Sequence, residues 1–176
     1  MIYYNIGNVV VRDIEMADIE ALTAAEQAQG WHWASTEKTA SRLPDRDAGK
    51  CVVMVCEVDG EPAGYVSLYW NASAGAYKNM NIPEIVDFNV LIKFRRRGLG
   101  HTMMNVCEQL AATRCDRICL SVGLYRDYGT AQRMYVKRGY VPDGSGVWYG
   151  DENIDPGKDV CNDDDLVLFL SKELKK

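Results

Sequence analysis

The densest positive run in the chain is Lys93-Phe94-Arg95-Arg96-Arg97-Gly98-Leu99-Gly100-His101, directly after the apolar stretch Val90-Leu91-Ile92. A strand that runs through a glycine-containing turn into a helix leaves unpaired N–H groups at the helix N-terminus. Together with the helix dipole, those groups bind anions. Gly98 and Gly100 let the backbone approach a phosphate without a Cβ in the way. Lys93 and Arg95 to Arg97 add long-range attraction. A solvated basic turn has the same composition, so this loop alone leaves both readings open. Two nucleotide motifs are excluded. The third glycine of a G-x-G-x-x-G fingerprint would fall at Met103, and no G-K-[ST] occurs.

The elements that position this loop follow from hydrophobic periodicity. A first strand is predicted over 8–12. A helix follows, with Ile14, Ala17, Ile19, Leu22 and Ala25 on its buried face, Asp13 or Asp18 as cap, and Gly30 at its end. After Trp31-His32-Trp33, a second helix is expected from Ser35, capped there or at Thr36, to about Leu43, where Pro44 stops it. Strands over 50–57 and 63–70 flank Asp59-Gly60, a strong hairpin signal. A loop spans 71–81 and a fourth strand 84–92. The helix after the glycines presents Leu99, Met103, Val106, Cys107 and Leu110 on one face. Then come a fifth strand over 117–122, a helix over 130–137 ended by Gly139, strand segments at 140–142 and 147–149, and a last strand over 166–170. This order predicts an α+β fold: a mixed, mostly antiparallel central sheet of about seven strands with helices on both faces.

The chain has 176 residues, which fits one domain over 1–176. It carries 20 Lys+Arg against 25 Asp+Glu, a net charge of −5, and lacks the broad basic face that nucleic acid requires. No window of 18 or more apolar residues exists, so no membrane span is expected. The N-terminal stretch has no basic and apolar signal pattern, which points to the cytoplasm. The six cysteines form no C-x-x-C pair and the two histidines are too few to complete a zinc site. Buried, reduced thiols and no metal are therefore expected.

Arg95-x-x-Gly98-x-Gly100, after a strand ending in Val-Leu-Ile and opening an amphipathic helix, resembles the pyrophosphate loop of the GNAT N-acetyltransferase superfamily. Ala131 to Tyr140 resembles the family's A-x-x-x-Y-x-x-x-G-[FY] segment. The two occur in the family's order with one strand between them, and the resemblance extends from about Asn8 to Leu170. Tyr128 is a departure, since many members carry a cofactor-contacting Asn there.

The resemblance implies acetyl-CoA as cosubstrate and a primary amine as acceptor, joined by direct attack in a ternary complex. It implies splayed fourth and fifth strands, with the pantetheine arm bonded to the backbone of Val90, Leu91 and Ile92. The Val90 N–H would polarise the thioester carbonyl. Arg96, Arg97, Gly98, Leu99, Gly100 and His101 would hold the pyrophosphate, with Arg95 positioning the loop or reaching the phosphates from outside. Tyr135 is the implied general acid, and an aromatic core residue is its structural alternative. Glu84 is favoured as general base over Asp87, three residues later, and would also hold a cationic amine; water is the other candidate. On a regular strand these two carboxylates face opposite sides, unless a bulge intervenes. No cysteine with a neighbouring histidine lies in this stretch, which disfavours an acyl-cysteine route.

In proteins of this resemblance the acceptor enters beside the first two helices and the last hairpin. Here those regions hold Trp31 and Trp33, and the acidic stretch 145–165 with Asp151, Glu152, Asp155, Asp159, Asp163, Asp164 and Asp165. An aromatic, acidic mouth suits a cationic small-molecule or peptide amine; a solvated acidic loop is the structural alternative. A non-catalytic acyl-CoA sensor or partner module of the same fold is the second functional reading. An enzyme using a longer acyl donor or an alcohol acceptor is the third. Neither nucleic acid nor membrane is expected as partner, and a homodimer fits the resemblance.

Overall fold

The computed structural model describes residues 1–31 and 35–174. Its elements run β1 (Ile2–Ile6), β2 (Val9–Asp13), α1 (Met16–Ala28), α2 (Ser35–Ala40), α3 (Leu43–Asp47), β3 (Cys51–Val58), β4 (Glu61–Tyr69), β5 (Glu84–Val90), α4 (Leu99–Ala112), β6 (Arg117–Gly123), α5 (Gly129–Lys137), β7 (Val141–Tyr149), β8 (Glu152–Asn153) and β9 (Leu166–Glu173), with short 3₁₀ turns at Gly75–Tyr77, Ile92–Phe94 and Arg126–Tyr128. The mixed α+β class is the one expected from sequence, but nine strands are present instead of about seven. The extra two are β1 and β8. β1 is mostly exposed and shows no apolar alternation, and β8 has only two residues, so neither leaves a periodic signal.

Contacts divide the chain into two compact units. The first contains Met1–Tyr69 and Val86–Leu110. Its strands follow the order β1-β2-β3-β4-β5, with β1/β2, β2/β3 and β3/β4 antiparallel. Asp59 and Gly60 both take positive φ, 53° and 79°. That is the type I′ geometry which matches the twist of the β3–β4 hairpin. The N-cap of α1 is Glu15, between the two expected caps Asp13 and Asp18. Asp18 lies in its first turn and accepts the Glu15 N–H at 2.8 Å, so its carboxylate caps from inside the helix. Pro44 does not stop a helix; it sits in the first turn of α3, where a missing N–H costs nothing. Val11, Ile14, Ile19, Leu22, Val53, Val55, Val66, Leu68, Met103 and Cys107 are buried in this unit, each worth roughly 1.5–3 kcal/mol for the larger side chains.

The second unit contains Trp70–Ile85 and the chain from Ala111 onward. The first residues of β5 pair parallel with β6, Glu84 with Cys119 and Ile85 with Leu120. β6 pairs antiparallel with β9, β9 with β7, and β7 with β8. The segments expected at 140–142 and 147–149 are one strand, β7, interrupted by a register shift between Pro142 and Val147. Ala72, Tyr77, Ile82, Cys119, Val167 and Phe169 form this unit's core. Gly75 is required there: a Cβ would lie 1.9 Å from the Phe169 ring.

Candidate functional site

The basic loop belongs to the first unit. β5 ends at Val90, one 3₁₀ turn covers Ile92–Phe94, and α4 begins at Leu99. The 3₁₀ turn shortens the strand expected over 84–92. Arg96 has φ 63° and Gly98 φ 82°, so the backbone reverses twice in three residues. No heavy atom lies within 4 Å of where a Gly98 Cβ would be; glycine is needed there for φ, not for space. The first bond of α4 runs from the Thr102 N–H to the Gly98 carbonyl, at 3.0 Å. The Leu99 and Gly100 amides, which precede it, have no acceptor within the helix.

The four cations are not equivalent. The Arg95 Nε donates to the Val90 carbonyl at 3.0 Å, and its guanidinium lies 5.4 Å from the centre of the Trp31 ring. Arg95 therefore folds back and braces the loop. Lys93 pairs with Glu61. Lys93 and Arg97 both lie over the buried Phe94 ring, at 4.8 and 5.4 Å. Phe94 is a hub the basic run itself does not advertise.

The three amides at the end of β5 all have partners. Leu91 N–H donates to the Ala63 carbonyl at 2.9 Å. Val90 N–H donates to Asn89 Oδ1, and Ile92 N–H to Gln29 Oε1, each at 2.9 Å. The first joins the residue just after β5 to the backbone of β4. The other two end on side-chain carbonyls, which can rotate away. Gln29 Nε2 is buried without a hydrogen-bond partner, so this contact is imperfectly satisfied as it stands. Gly64 on β4 makes the close approach of β5 possible: a Cβ there would lie 2.4 Å from the Asn89 carbonyl oxygen. Sequence reading did not single out Gly64, Asn89 or Gln29. Gly64 has the one readable signal, a glycine inside a strand pattern.

Asp87 also lies in the first unit. Its φ of 52° breaks the pleat of β5, so the alternation expected between positions 84 and 87 does not apply. Its carboxylate is only 3% exposed and pairs with Arg42 Nε at 2.9 Å and Lys38 Nζ at 3.1 Å. Arg42 is half-buried, lies over the Tyr69 ring at 5.4 Å and has its basicity raised. Burial opposes that rise, and Asp87 and Tyr69 outweigh it. Trp31 is half-buried, and Trp33 lies outside the described residues.

Glu84 and Tyr135 belong to the second unit, and both are buried. Glu84 opposes Cys119 in the parallel pairing. Tyr135 lies on α5, whose end explains much of the A-x-x-x-Y-x-x-x-G-Y pattern. The Gly139 N–H bonds the Val136 carbonyl and the Tyr140 N–H the Tyr135 carbonyl, each at 3.0 Å, with Gly139 at φ 90°. This is a Schellman cap, and its usual apolar contact joins the Tyr135 and Tyr140 rings, centroids 5.9 Å apart.

The acidic stretch is largely exposed, but several of its carboxylates are tied down by hydrogen bonds. Asp164 Oδ1 accepts from the Tyr125 and Tyr128 hydroxyls at 2.7 and 2.8 Å, and Asp163 accepts from Tyr149 at 2.9 Å. Tyr128 packs where a Gly123 Cβ would intrude at 2.5 Å, so the residue that departs from the family's Asn anchors this loop. Burial and Asp164 push the Tyr125 hydroxyl up to about 12. Asp151 bonds the Gly75 N–H and Lys78. A cleft of about 520 Å³ lined by Leu124, Val147, Ile154, Val160 and Leu166 lies wholly in this unit and includes none of the basic-loop residues.

Burial holds the Cys56 thiol up to about 12 and raises those of Cys51 and Cys119; none is an activated nucleophile. Among the described residues, no group of three or more His, Cys, Asp or Glu could hold a metal ion, and no helix is long and apolar enough to cross a membrane.

A helix start whose first amides have no helical acceptor, behind a run of arginines, has the geometry that suits an anion such as phosphate. Residues 16–140 match the family model described as Acetyltransferase (GNAT) family, and the chain belongs to that family. Acetyl transfer is the family's chemistry. A search of curated proteins gives no match. Solved structures share the fold at low identity. An acetyltransferase from Salmonella typhimurium that modifies the N-terminal serine of ribosomal protein L7/L12 is 11% identical, with 99% of this chain and 100% of that one covered and a TM-score of 0.72. The acetyltransferase yncA from Salmonella typhimurium, solved with its cofactor acetyl-CoA, is 16% identical, with 97% and 96% covered and a TM-score of 0.66. A spermidine N-acetyltransferase SpeG chimera from Vibrio cholerae and hSSAT is 13% identical, with 96% of each covered and a TM-score of 0.66.

Proposed function

We propose that this chain, read as one catalytic domain over 1–176, transfers the acetyl group of acetyl-CoA to a primary amine. The observation that carries this reading is the loop from Arg95 to Gly100. Arg96 and Gly98 hold the left-handed conformations that open α4, and Leu99 and Gly100 offer amides without helical acceptors. A pyrophosphate suits such a cradle, with Arg96, Arg97 and His101 around it. Bound acetyl-CoA would supply an activated acyl thioester.

The chain's own residues then have distinct tasks. The Val90 N–H, released by rotation of Asn89, is assigned to the thioester carbonyl, where a fixed donor favours developing negative charge. The Ile92 N–H, released by Gln29, is assigned to the pantetheine arm. Tyr135 is assigned as proton donor to the leaving thiolate. Glu84 is assigned as proton acceptor for the amine ahead of Asp87, whose charge is balanced by the guanidinium of Arg42. Buried thiols held protonated support direct attack in a ternary complex over an acyl-cysteine route. Trp31 is assigned to cation–π contact with a cationic acceptor, of the peptide or polyamine kind that the structural neighbours modify, and the acidic loop, considered by itself, to long-range attraction of such a cation. The cytoplasm is the proposed location.

The test is thiol release from acetyl-CoA across primary amines, including spermidine and an N-terminal serine peptide, with wild type and Tyr135→Phe. Turnover that collapses in the variant supports the reading. Tight coenzyme A binding with no turnover on any amine would replace it with the sensor reading.

A further inference from the structure

Asp87 has three features that do not usually occur together. It is a non-glycine residue at φ 52°, inside a strand. Its carboxylate is nearly inaccessible, at 3% exposure. It also faces two cations where one would balance its charge. A strained backbone position persists only where its surroundings hold it, and such positions cluster at binding sites.

The two cations differ in kind. Arg42 is built in: it is half-buried, its Nε meets Oδ2 at 2.9 Å, and its guanidinium is held over the Tyr69 ring. Tyr69 in turn donates to Asp45 at 3.0 Å, and Asp45 accepts from Lys50 at 2.8 Å. Arg42 alone therefore neutralises Asp87 within a connected network. Lys38 is not built in. Its side chain is 66% exposed, and only its ammonium reaches the other carboxylate oxygen, Oδ1, at 3.1 Å. With its stem in solvent, Lys38 is held at this carboxylate by its ammonium alone.

We propose that Asp87 is an ammonium-binding residue for the acceptor amine, and that Lys38 is an internal occupant holding that place until the acceptor arrives. The chemical class recognised is a primary alkylammonium of the shape of a lysine side chain: one compact cation on a flexible apolar stem. Exchange of one ammonium for another leaves the charge at Asp87 unchanged, so the buried carboxylate is never stripped of its partner. Arg42 cannot be exchanged in this way, because its planar fork is fixed by Tyr69 as well as by Asp87. This inference rests on the acetyltransferase reading for its biological use. The ammonium site itself does not.

The probe is n-butylammonium, the analogue of a lysine side chain. Full-length wild type, Lys38→Met and the double variant Lys38→Met/Asp87→Asn are titrated with it at constant ionic strength, with tetramethylammonium as control, following backbone amide shifts of Asp87 and its neighbours. Lys38→Met keeps the apolar stem on a surface helix, so the fold is expected to be retained, and thermal unfolding checks this. Lys38→Met is expected to bind n-butylammonium about 2- to 5-fold more tightly than wild type, the gain from removing one competing ammonium whose stem is in solvent. Tetramethylammonium should bind no better, and Asp87→Asn should remove the gain. With acetyl-CoA present, Lys38→Met should lower KM for n-butylamine by the same factor with kcat within about twofold. Equal or absent binding in wild type and Lys38→Met, or binding that survives Asp87→Asn, overturns the proposal. Normal coenzyme A binding without the KM change overturns it while sparing the acetyltransferase reading. Loss of all coenzyme A binding in wild type refutes that reading, and the titration still decides the Asp87 site.

Discussion

Replacing Gly98 tests the anion cradle most directly, because the structure separates its two effects. Gly98 sits at φ 82° with open space around its missing Cβ. Gly98→Ala adds only conformational strain, about 1–2 kcal/mol, which for a chain of this length lowers Tm by roughly 2–8 °C. Gly98→Asp adds the same strain and a carboxylate just before α4. That charge favours the helix dipole by about 0.3–1 kcal/mol, so its Tm should lie at or slightly above that of the alanine variant. Its effect on a bound pyrophosphate is opposite. A like charge about 4 Å away costs roughly 1 kcal/mol at the dielectric of water and up to about 4 kcal/mol at an effective value of 20. Coenzyme A affinity should therefore fall about 5- to 1000-fold beyond any loss in Gly98→Ala. Calorimetric titration of coenzyme A into the three proteins, at two salt concentrations, reads this directly. The penalty should shrink as salt rises. If Gly98→Asp binds coenzyme A within threefold of Gly98→Ala at low salt, the pyrophosphate does not lie at this helix start.

The remaining predictions concern fold and proton transfer. Gly64→Ala would bring a Cβ to 2.4 Å from the Asn89 carbonyl oxygen. Backbone must move, costing about 1–3 kcal/mol, and thermal unfolding should register a drop; an unchanged Tm would contradict the close passage of β4 and β5. Tyr135→Phe keeps the ring that packs on Tyr140, so Tm should hold while kcat falls about 10²–10⁴-fold; equal kcat would reduce Tyr135 to its role in the helix cap. Burial alone would raise the Asp18 carboxyl, but hydrogen bonds from Arg12 and the Glu15 amide hold it below the ordinary carboxylate range. Its contribution is thus complete above pH of about 4 and lost as pH falls through the lower folded value. Asp18→Asn, which leaves Arg12 its pair with Glu57, should cost about 1.5–3 kcal/mol at pH 7 and flatten the acid limb of a stability–pH curve. A parallel downward shift at every pH would refute that assignment.

What was legible in the sequence was local chemistry. The type I′ hairpin at Asp59-Gly60, the amphipathic face of α4 and the Gly139 cap each rest on a few neighbouring residues, and each appears as expected. The basic loop was legible as a charge run, but not the division of labour within it. Arg95 turns back on Val90 and Trp31, and Lys93 and Arg97 lie over Phe94, because aromatic rings close in space compete with solvent for these cations. Such partners, at separations up to 64 positions, leave no periodic trace. The same holds for Asp87. Strand alternation assigned it a face, whereas its positive φ and the cations of α2 and the residue before α3 decide where its carboxylate goes. The pattern A-x-x-x-Y-x-x-x-G-Y carries a related lesson. Its glycine and final tyrosine are accounted for by helix termination alone, so a motif match at Tyr135 weighs less for catalysis than its length implies. A cap does not need the first tyrosine's hydroxyl, so its removal in Tyr135→Phe is the informative change.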